Sequence, residues 1–181
     1  SELMRQLERS PEFAPLAGMR NPTALPDGGR AAVACPELGP QADWSAALAG
    51  VEAVVHCAAR AHVLADKAAD PLAEFIRANA QGTLRLAEQA VDAGVRRLVF
   101  VSSIGVNGAE TIGAPFTEAD PAAPHSPYAV SKNLAEQGLI ELSARTGLEV
   151  AIVRPALVYG KGAPGNLRRL AKLVQRGLPL P

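Results

Sequence analysis

The chain has few aromatic residues and no excess of charge of either sign. Phe, Tyr and Trp make up 4% of its 181 residues, whereas hydrophobic residues as a whole make up 48%. Alanine, leucine and valine must therefore fill most of the core, which is typical of helices packed on a sheet. Lys plus Arg and Asp plus Glu both number 18, so the net charge is zero. Because no basic surface is indicated, the composition gives no support for nucleic-acid binding.

Long apolar runs and metal-binding spacings are also lacking. No apolar run approaches the roughly 18 residues of a membrane span, and the charged N-terminal stretch does not resemble a signal peptide. Cys35 and Cys57 lack ligand-like spacing, as do His56, His62 and His125, so we expect no metal site. We interpret His56 as a packed strand residue and Cys57 as a small packing residue. Two lone cysteines favour a reduced, cytoplasmic setting.

Strand-like and helix-like segments alternate along the chain. The predicted strands are the short apolar runs at 14–19, 31–35, 51–56, 97–102 and 148–153. The predicted helices are 2–12, 44–48, 70–94 and 126–147. The two long helices begin at Asp70-Pro71 and Ser126-Pro127, each an N-cap followed by proline at the first helical position. The continuous apolar run at 97–102 is typical of a parallel strand buried on both faces, and the alternation predicts an α/β fold with a doubly wound parallel sheet.

The most informative pattern is a tyrosine four residues before a lysine on the helix predicted at 126–147. This spacing places Tyr128 and Lys132 on one helix face, where the ammonium can hold the phenol near ionisation. Such a phenol can transfer protons near neutral pH. Ser102 and Ser103 lie at the end of the apolar strand before it. Taken alone, these residues also suit a solvated helix pair and ordinary strand-end hydrogen bonds.

Five motifs together resemble one family, the extended short-chain dehydrogenases/reductases, and within it the nucleotide-sugar epimerases of the UDP-glucose 4-epimerase type. The motifs are 56–59 (HCAA), 79–83 (NAQGT), 102–108 (SSIGVNG), 128–132 (YAVSK) and 154–160 (RPALVYG). Each is weak alone, but all five occur in the family's order. The resemblance implies a partial NAD(P)-binding Rossmann-type domain at 1–160 and the start of a substrate-binding portion at 161–181.

The resemblance also implies a role for each of the central residues. Tyr128 would exchange a proton with a sugar hydroxyl while the cofactor carries the hydride. Lys132 would lower the pKa of Tyr128 and hold the ribose hydroxyls of the cofactor. Ser103 would hydrogen-bond the reacting oxygen of the substrate. Asn79 would support the active-site backbone and a proton path.

Further positions match the family's ligand contacts. The implied cofactor contacts are Ala58, Ala59, Ser102, Pro155 and Val158, in addition to Tyr128 and Lys132. The two alanines lie at the carboxyl end of a predicted strand, where open α/β sheets bind ligands. Asn166 and Arg168 match the segment that contacts the sugar nucleotide, although a solvated helix face suits Arg168 equally well. Arg20 follows a predicted strand and would accept the 2′-phosphate of NADP, but an ordinary solvated arginine is an equally good interpretation.

The sequence departs from the family pattern in several places. The glycine-rich loop that cradles the pyrophosphate is absent, so we expect a chain truncated at both ends that by itself binds cofactor negligibly. Loss of the family's first, central strand is expected to leave unpaired strand edges. Ile104 and Gly105 stand where sugar 4,6-dehydratases carry an Asp-Glu pair, so dehydration is not expected. Asn107 replaces a tyrosine of the family motif.

The expected function is NAD(P)-dependent epimerisation of a nucleotide sugar through a keto intermediate, with NAD as the cofactor and NADP as the alternative. Two other functions stay open. A ketone or sugar reductase that consumes NADPH is favoured by Arg20, and a non-catalytic cofactor-sensing or interaction module would retain the fold alone. The resemblance also allows a homodimer through the helices that contain Asn79 and Tyr128.

Overall fold

The computed structural model describes residues 2–21, 31–61, 68–111, 113–160 and 173–177. The helices are α1 (Glu2–Leu7), α2 (Ser45–Leu48), α3 (Pro71–Phe75), α4 (Gly82–Asp92) and α5 (Pro127–Thr146). The strands are β1 (Ala17–Met19), β2 (Ala32–Ala34), β3 (Ala53–His56), β4 (Arg97–Val101) and β5 (Glu149–Val153). Helices and strands therefore follow the predicted order, and the α/β class is confirmed.

All strand pairs among the described residues are parallel, but they form two sheets. One contains β3, β4 and β5 with β4 in the centre, and the other contains β1 and β2. Among the described strands, β1 and β3 each pair along one edge only, in line with the expectation of unpaired edges. Because β3, β4 and β5 are parallel, the segments that follow them meet at one edge of the sheet.

The core lies between the three-stranded sheet and the helices α4 and α5. Leu98 and Phe100 of β4 point into it and are fully buried, together with Leu139 of α5. Side chains on the other face of the sheet alternate with these, and there Val55 and Val153 are 42% and 47% exposed. On β4 itself, Val99 and Val101 of this face are half-buried. The prediction that β4 is buried on both faces is therefore wrong for the described residues, since full burial is found only on the face covered by α4 and α5.

Both predicted helix openings are confirmed. The side chain of Asp70 accepts a hydrogen bond from the backbone N–H of Ala73 at 3.0 Å, and Ser126 accepts one from Ala129 at 3.2 Å. The predicted helix at 70–94 is not a continuous α-helix, since a π-helical segment (Ile76–Gln81) joins α3 to α4. Such segments hold one extra residue per turn and occur frequently at functional sites.

Neither a membrane-spanning helix nor a metal-binding cluster is found among the described residues. None of the described helices is long and apolar enough to span a membrane. No cluster of three or more His, Cys, Asp or Glu side chains within the described ranges could hold a metal ion. Most of 161–181 lies outside the described ranges, so the domain boundary at 160 stays a prediction.

Candidate active site

Tyr128 and Lys132 lie in the first two turns of α5, near the edge where the strands β3, β4 and β5 end. The cap at Ser126 and the proline at 127 fix where this helix begins. Tyr128 is half-buried and Lys132 is 1% exposed. The lysine Nζ lies 4.1 Å from the ring centroid of Phe100 and 6.0 Å from that of Tyr128. The structure thus brings the predicted pair together over the end of the central strand.

The Lys132 ammonium is desolvated but has no hydrogen-bond acceptor among the described residues. Burial lowers the pKa of Lys132 to about 8, and the negative charge of Glu136 opposes this effect. The Phe100 ring supplies a favourable cation–π contact. A charged group in this state retains all three N–H donors for a ligand.

The phenol of Tyr128 is not activated by these contacts alone. Burial raises the pKa of Tyr128 above its ordinary value. The ring packs edge-on against Phe75, with the centroids 6.2 Å apart. Desolvation opposes ionisation of Tyr128, so the direction of its pKa shift in the structure is opposite to the lowering that the resemblance implies.

Ser103 is the second residue after β4 and lies near the beginning of α5. Its Oγ accepts a hydrogen bond from the Gly105 N–H at 3.2 Å, which opens a short 3₁₀ turn (Ile104–Val106). The Ile104 N–H donates to the Pro155 carbonyl at 3.0 Å, so the serine segment is tied to the end of β5. A Cβ placed on Gly105 would lie 3.4 Å from Ser103 Oγ and 3.6 Å from the Ala129 side chain. Ser103 and the Tyr128 end of α5 therefore border the same small space.

Asn79 is buried within the π-helical segment and connects β3 to α5. Its Oδ1 accepts from the Arg60 N–H at 2.7 Å, and its Nδ2 donates to the Arg60 carbonyl and to Ser131 Oγ, both at 3.0 Å. Ser131 in turn donates to the Tyr128 carbonyl at 2.7 Å. Asn79 thus fixes the backbone that follows Ala58 and Ala59 relative to the helix turn that carries Tyr128.

The family model for NAD dependent epimerases/dehydratases matches residues 31–178, which is more than half of the chain. The chain belongs to this family. The membership predicted from the five motifs is confirmed, and NAD, the expected cofactor, is the cofactor that names the family.

Several proteins similar to this epimerase/dehydratase chain are known. The UDP-glucose 4-epimerase of Vibrio cholerae is 45% identical over 146 residues, which cover 80% of this chain and 44% of the relative. A dTDP-glucose 4,6-dehydratase from Streptomyces venezuelae, solved with NAD and TYD bound, is 34% identical with a TM-score of 0.69 and covers 84% of this chain and 48% of that one. The UDP-N-acetylglucosamine 4-epimerase of Methanobrevibacter ruminantium M1 is 25% identical with a TM-score of 0.67, and 82% of this chain covers 48% of it. The chain thus spans a little under half the length of these relatives, and their shared fold confirms the Rossmann-type architecture.

The described residues of the epimerase/dehydratase chain fit NAD at the carboxyl end of β3. Ala58 is exposed and Ala59 is half-buried, and neither side chain would block a ligand that approaches the backbone. The unpartnered Lys132 ammonium lies beside the same strand end, where the hydroxyl oxygens of a ribose are suitable acceptors. Lys132, Ala58 and Ala59 would hold the cofactor, which would supply hydride exchange.

The remaining predicted contacts are placed less uniformly. Pro155 is half-buried beside the Ser103 segment, whereas Val158 is 72% exposed, and Arg20 is exposed directly after β1. The Ser102 hydroxyl donates to the Glu136 carboxylate, so this group is not directed at a ligand in the structure. Asn166 and Arg168 lie outside the described residues.

His56 is a packed strand residue, as predicted. Its Nε2 lies 3.0 Å from Thr83 Oγ1, and its ring stacks on Phe100 with the centroids 5.8 Å apart. Burial, with a smaller contribution from the positive charge of Lys132, lowers the pKa of His56 to about 3. The imidazole is therefore neutral at physiological pH, and it adds no second positive charge beneath Lys132.

Glu136 belongs to the same cluster, although no sequence motif assigns it a role. The available signal was its position on α5, four residues after Lys132 and on the same helix face. An acidic residue at that spacing is common on solvated helices, and only burial distinguishes this one, which is 2% exposed.

Proposed function

We propose that the protein containing this chain epimerises a nucleotide sugar with NAD through a keto intermediate. The observation that carries the proposal is the convergence of Tyr128, Lys132 and Ser103 at one sheet edge. The 45% identity to a UDP-glucose 4-epimerase supports the same reaction class. Ile104 and Gly105 offer no acid or base beside Ser103, which argues against dehydration.

In this mechanism the side chains manage the proton and the geometry. Tyr128, as phenolate, removes the proton from a sugar hydroxyl, and the hydrogen on the same carbon would pass to bound NAD as hydride. Ser103 donates a hydrogen bond to the oxygen as it becomes a carbonyl. Lys132 would hold the cofactor ribose and stabilises the negative charge on Tyr128. After the keto sugar has rotated to present its other face, the hydride would return from the cofactor to the carbonyl carbon and Tyr128 would return the proton to the oxygen, which inverts the configuration with no net oxidation.

Replacement of Tyr128 by Phe tests the proposal directly. The ring and its contact with Phe75 are kept, whereas the group that transfers the proton is lost. We expect turnover of UDP-sugars by the full-length protein to fall at least about 10²–10⁴-fold, the usual contribution of a positioned acid/base group. NAD affinity, measured by calorimetry, is expected to stay nearly unchanged.

Tyr159→Phe is the matched control, since Tyr159 is 74% exposed and is the other tyrosine of the chain. It should turn over substrate like the wild type. Turnover by Tyr128→Phe at the wild-type rate would refute the proposed role of Tyr128.

A reductase that consumes NADPH is the second candidate. Arg20 favours it, because an exposed guanidinium directly after β1 is placed to accept a 2′-phosphate. The two functions differ in their redox balance. Stoichiometric loss of absorbance at about 340 nm with an added ketone would establish the reductase, whereas interconversion of two nucleotide sugars without that loss would establish the epimerase.

Two further parts of the proposal concern the setting of the protein. We place it in the cytoplasm, because Cys35 and Cys57 are both free thiols. We also propose a homodimer through the helical segments that contain Asn79 and Tyr128; the exposed apolar side chains of α5 include Leu134 and Ile140, the latter 57% exposed. Sedimentation of the full-length protein at the monomer mass would refute the dimer.

A further inference from the structure

A buried ion pair lies directly behind the candidate catalytic residues. The Arg154 Nε is 3.1 Å from both carboxylate oxygens of Glu136, and its Nη2 is 2.5 Å from Oε2. The Ser102 hydroxyl donates to the other oxygen, Oε1. The Glu136 side chain is 2% exposed and that of Arg154 is 23% exposed. The carboxylate therefore has its hydrogen bonds satisfied in a site that is almost free of water.

The ion pair continues into the loop that follows Ser103. Arg154 Nη1 donates to Asn107 Oδ1 at 3.2 Å, and Asn107 Nδ2 donates to the Thr117 carbonyl at 3.2 Å. The hydrogen bonds of Ser102, Glu136, Arg154 and Asn107 thus connect the end of β4, the helix α5, the end of β5 and the loop that contains Asn107 and Thr117. Asn107 is a position where the sequence departs from its family's pattern, and it is 4% exposed.

A buried ion pair is poor evidence for stability, because desolvation offsets most of its attraction. Its placement is more informative. Ser102 precedes Ser103, Glu136 lies one helical turn after Lys132, and Arg154 precedes Pro155, whose carbonyl accepts from the Ile104 N–H. Glu136 is therefore one helical turn from Lys132, and Arg154 is one peptide bond from Pro155, which is hydrogen-bonded to the residue after Ser103.

We propose that Glu136, through its ion pair with Arg154, is a positioning residue that fixes the strand end carrying Ser103 relative to the helix turn carrying Lys132. This inference rests on the proposed function for its effect on turnover. It predicts that the length and charge of Glu136 matter to the reaction beyond their effect on folding.

The charge of Glu136 also acts on Lys132 across one helical turn. The groups that face the Lys132 ammonium are Glu136 and Tyr128 of α5, His56 of β3 and Cys57 directly after it. Of these, Glu136 gives the largest effect that raises the pKa of Lys132. Loss of its charge should therefore leave Lys132 less protonated at neutral pH and move the basic limb of the rate profile to lower pH.

Glu136→Gln in the full-length protein tests the inference, with Glu141→Gln on the exposed side of α5 as the control. We expect kcat to fall by about 10–100-fold in Glu136→Gln, because Ser103 and Lys132 would no longer be held in register with Tyr128 and the substrate. KM should change by less than about threefold. Glu136→Asp, which keeps the charge, should recover part of kcat. Wild-type kcat and an unchanged pH profile in Glu136→Gln would overturn the inference.

A second variant separates positioning from folding. Glu136→Gln/Arg154→Met removes both charges, which often restores the stability lost when one partner is removed. If the pair only stabilises the fold, this double variant should regain activity, and that result would overturn the inference. If the pair positions the site, the double variant should melt near the wild-type temperature and stay impaired in kcat.

The titration of Lys132, followed by NMR of labelled lysine and assigned with Lys132→Arg, gives a readout independent of turnover. Glu136→Gln and Glu136→Asp should differ, with the lower Lys132 pKa in the glutamine variant; equal pKa values would count against the inference. Should the wild type convert no nucleotide sugar, the proposed function fails, and this titration still tests whether the charge of Glu136 acts on Lys132.

Discussion

Two basic side chains of the site contact the ring of Phe100, one of them charged and the other neutral. Lys132 places its ammonium over the ring, and His56 stacks on the same ring as a neutral imidazole. Both have a lowered pKa because burial disfavours the charged form of each, and the positive charge of Lys132 lowers the pKa of His56 further. The ring thus lies beside one cation rather than two.

Acid should destabilise the fold through His56. His56 is held at a pKa of about 3 in the folded chain against an ordinary value of 6.5. Between these pH values the unfolded state binds a proton that the folded state does not, so stability is lost as pH falls below about 6.5. The free energy of unfolding should fall by up to about 1.4 kcal/mol per pH unit from this group.

His56→Asn should flatten this dependence, and urea unfolding at pH 7 and pH 5 measures it. Gln137→Asn, at an exposed position of α5 that carries no titratable group, is the control and should unfold with the wild-type pH dependence. If His56→Asn and the wild type lose the same free energy between the two pH values, His56 is not the buried neutral group described here.

Among the helices, α4 and α5 each carry a glycine at a point where another segment comes close. A Cβ on Gly82, the first residue of α4, would lie 2.7 Å from the Gly39 nitrogen and 3.1 Å from the Leu38 carbonyl carbon. A Cβ on Gly138 of α5 would lie 2.6 Å from a methyl of Leu84. The first contact is with backbone and the second with the end of a flexible side chain.

These contacts predict different costs for the same substitution. Gly82→Ala must displace the backbone at 38–39, and we expect it to lower the free energy of unfolding by about 1–3 kcal/mol. Gly138→Ala requires only a rotamer change of Leu84, and the gain in helix propensity, about 1 kcal/mol, offsets it. Denaturant unfolding of the two variants gives the comparison, and an equal loss for both would show that the close approach at Gly82 is not rigid.

Across the part of the chain that the structure describes, β4 is the strand with hydrogen-bonded neighbours on both sides. It pairs with β3 and β5, and its residues Leu98 and Phe100 are fully buried. The strands β1 and β2 have three residues each and pair only with one another among the described strands. Local stability should therefore differ strongly between the two sheets.

Hydrogen exchange measured by mass spectrometry tests this difference. Amides at 97–101 should exchange most slowly among the described strands, since opening them requires loss of the core. Amides at 17–19 and 32–34 should exchange far earlier. Equal protection at 97–101 and 17–19 would mean that the two sheets open as one unit.

The features that depend on neighbours in sequence could be predicted from the sequence. Asp70 and Ser126 cap their helices as expected, and the apolar run at 97–102 forms β4, because capping and strand propensity are local. The shared site of Ser103 and Tyr128 is implied by the resemblance to the family and follows from no local rule, since Tyr128 lies on a helix rather than at a strand end.

Features that depend on distant contacts could not be predicted. Nothing local distinguishes Glu136 from a solvated helical glutamate, and its burial follows from Arg154 and Ser102 on other elements. The desolvation that raises the pKa of Tyr128 also arises from packing, whereas the Tyr128–Lys132 spacing alone indicated the opposite direction. The exposed second face of the sheet likewise depends on which elements cover it.

In the π-helical segment, the number of residues matters more to the structure than the identity of most of them. Its extra residue turns everything before it, including Phe75 against Tyr128, by about 100° relative to a regular helix that ends at α4. Removal of any single residue between 76 and 81 would restore an ordinary helix, whichever residue was lost. Asn79 and Phe75 could then no longer keep their present orientations together, so one deletion would remove the contacts of both residues with the helix turn that carries Tyr128. We therefore expect this stretch to accept many substitutions on its exposed side but no single-residue deletion.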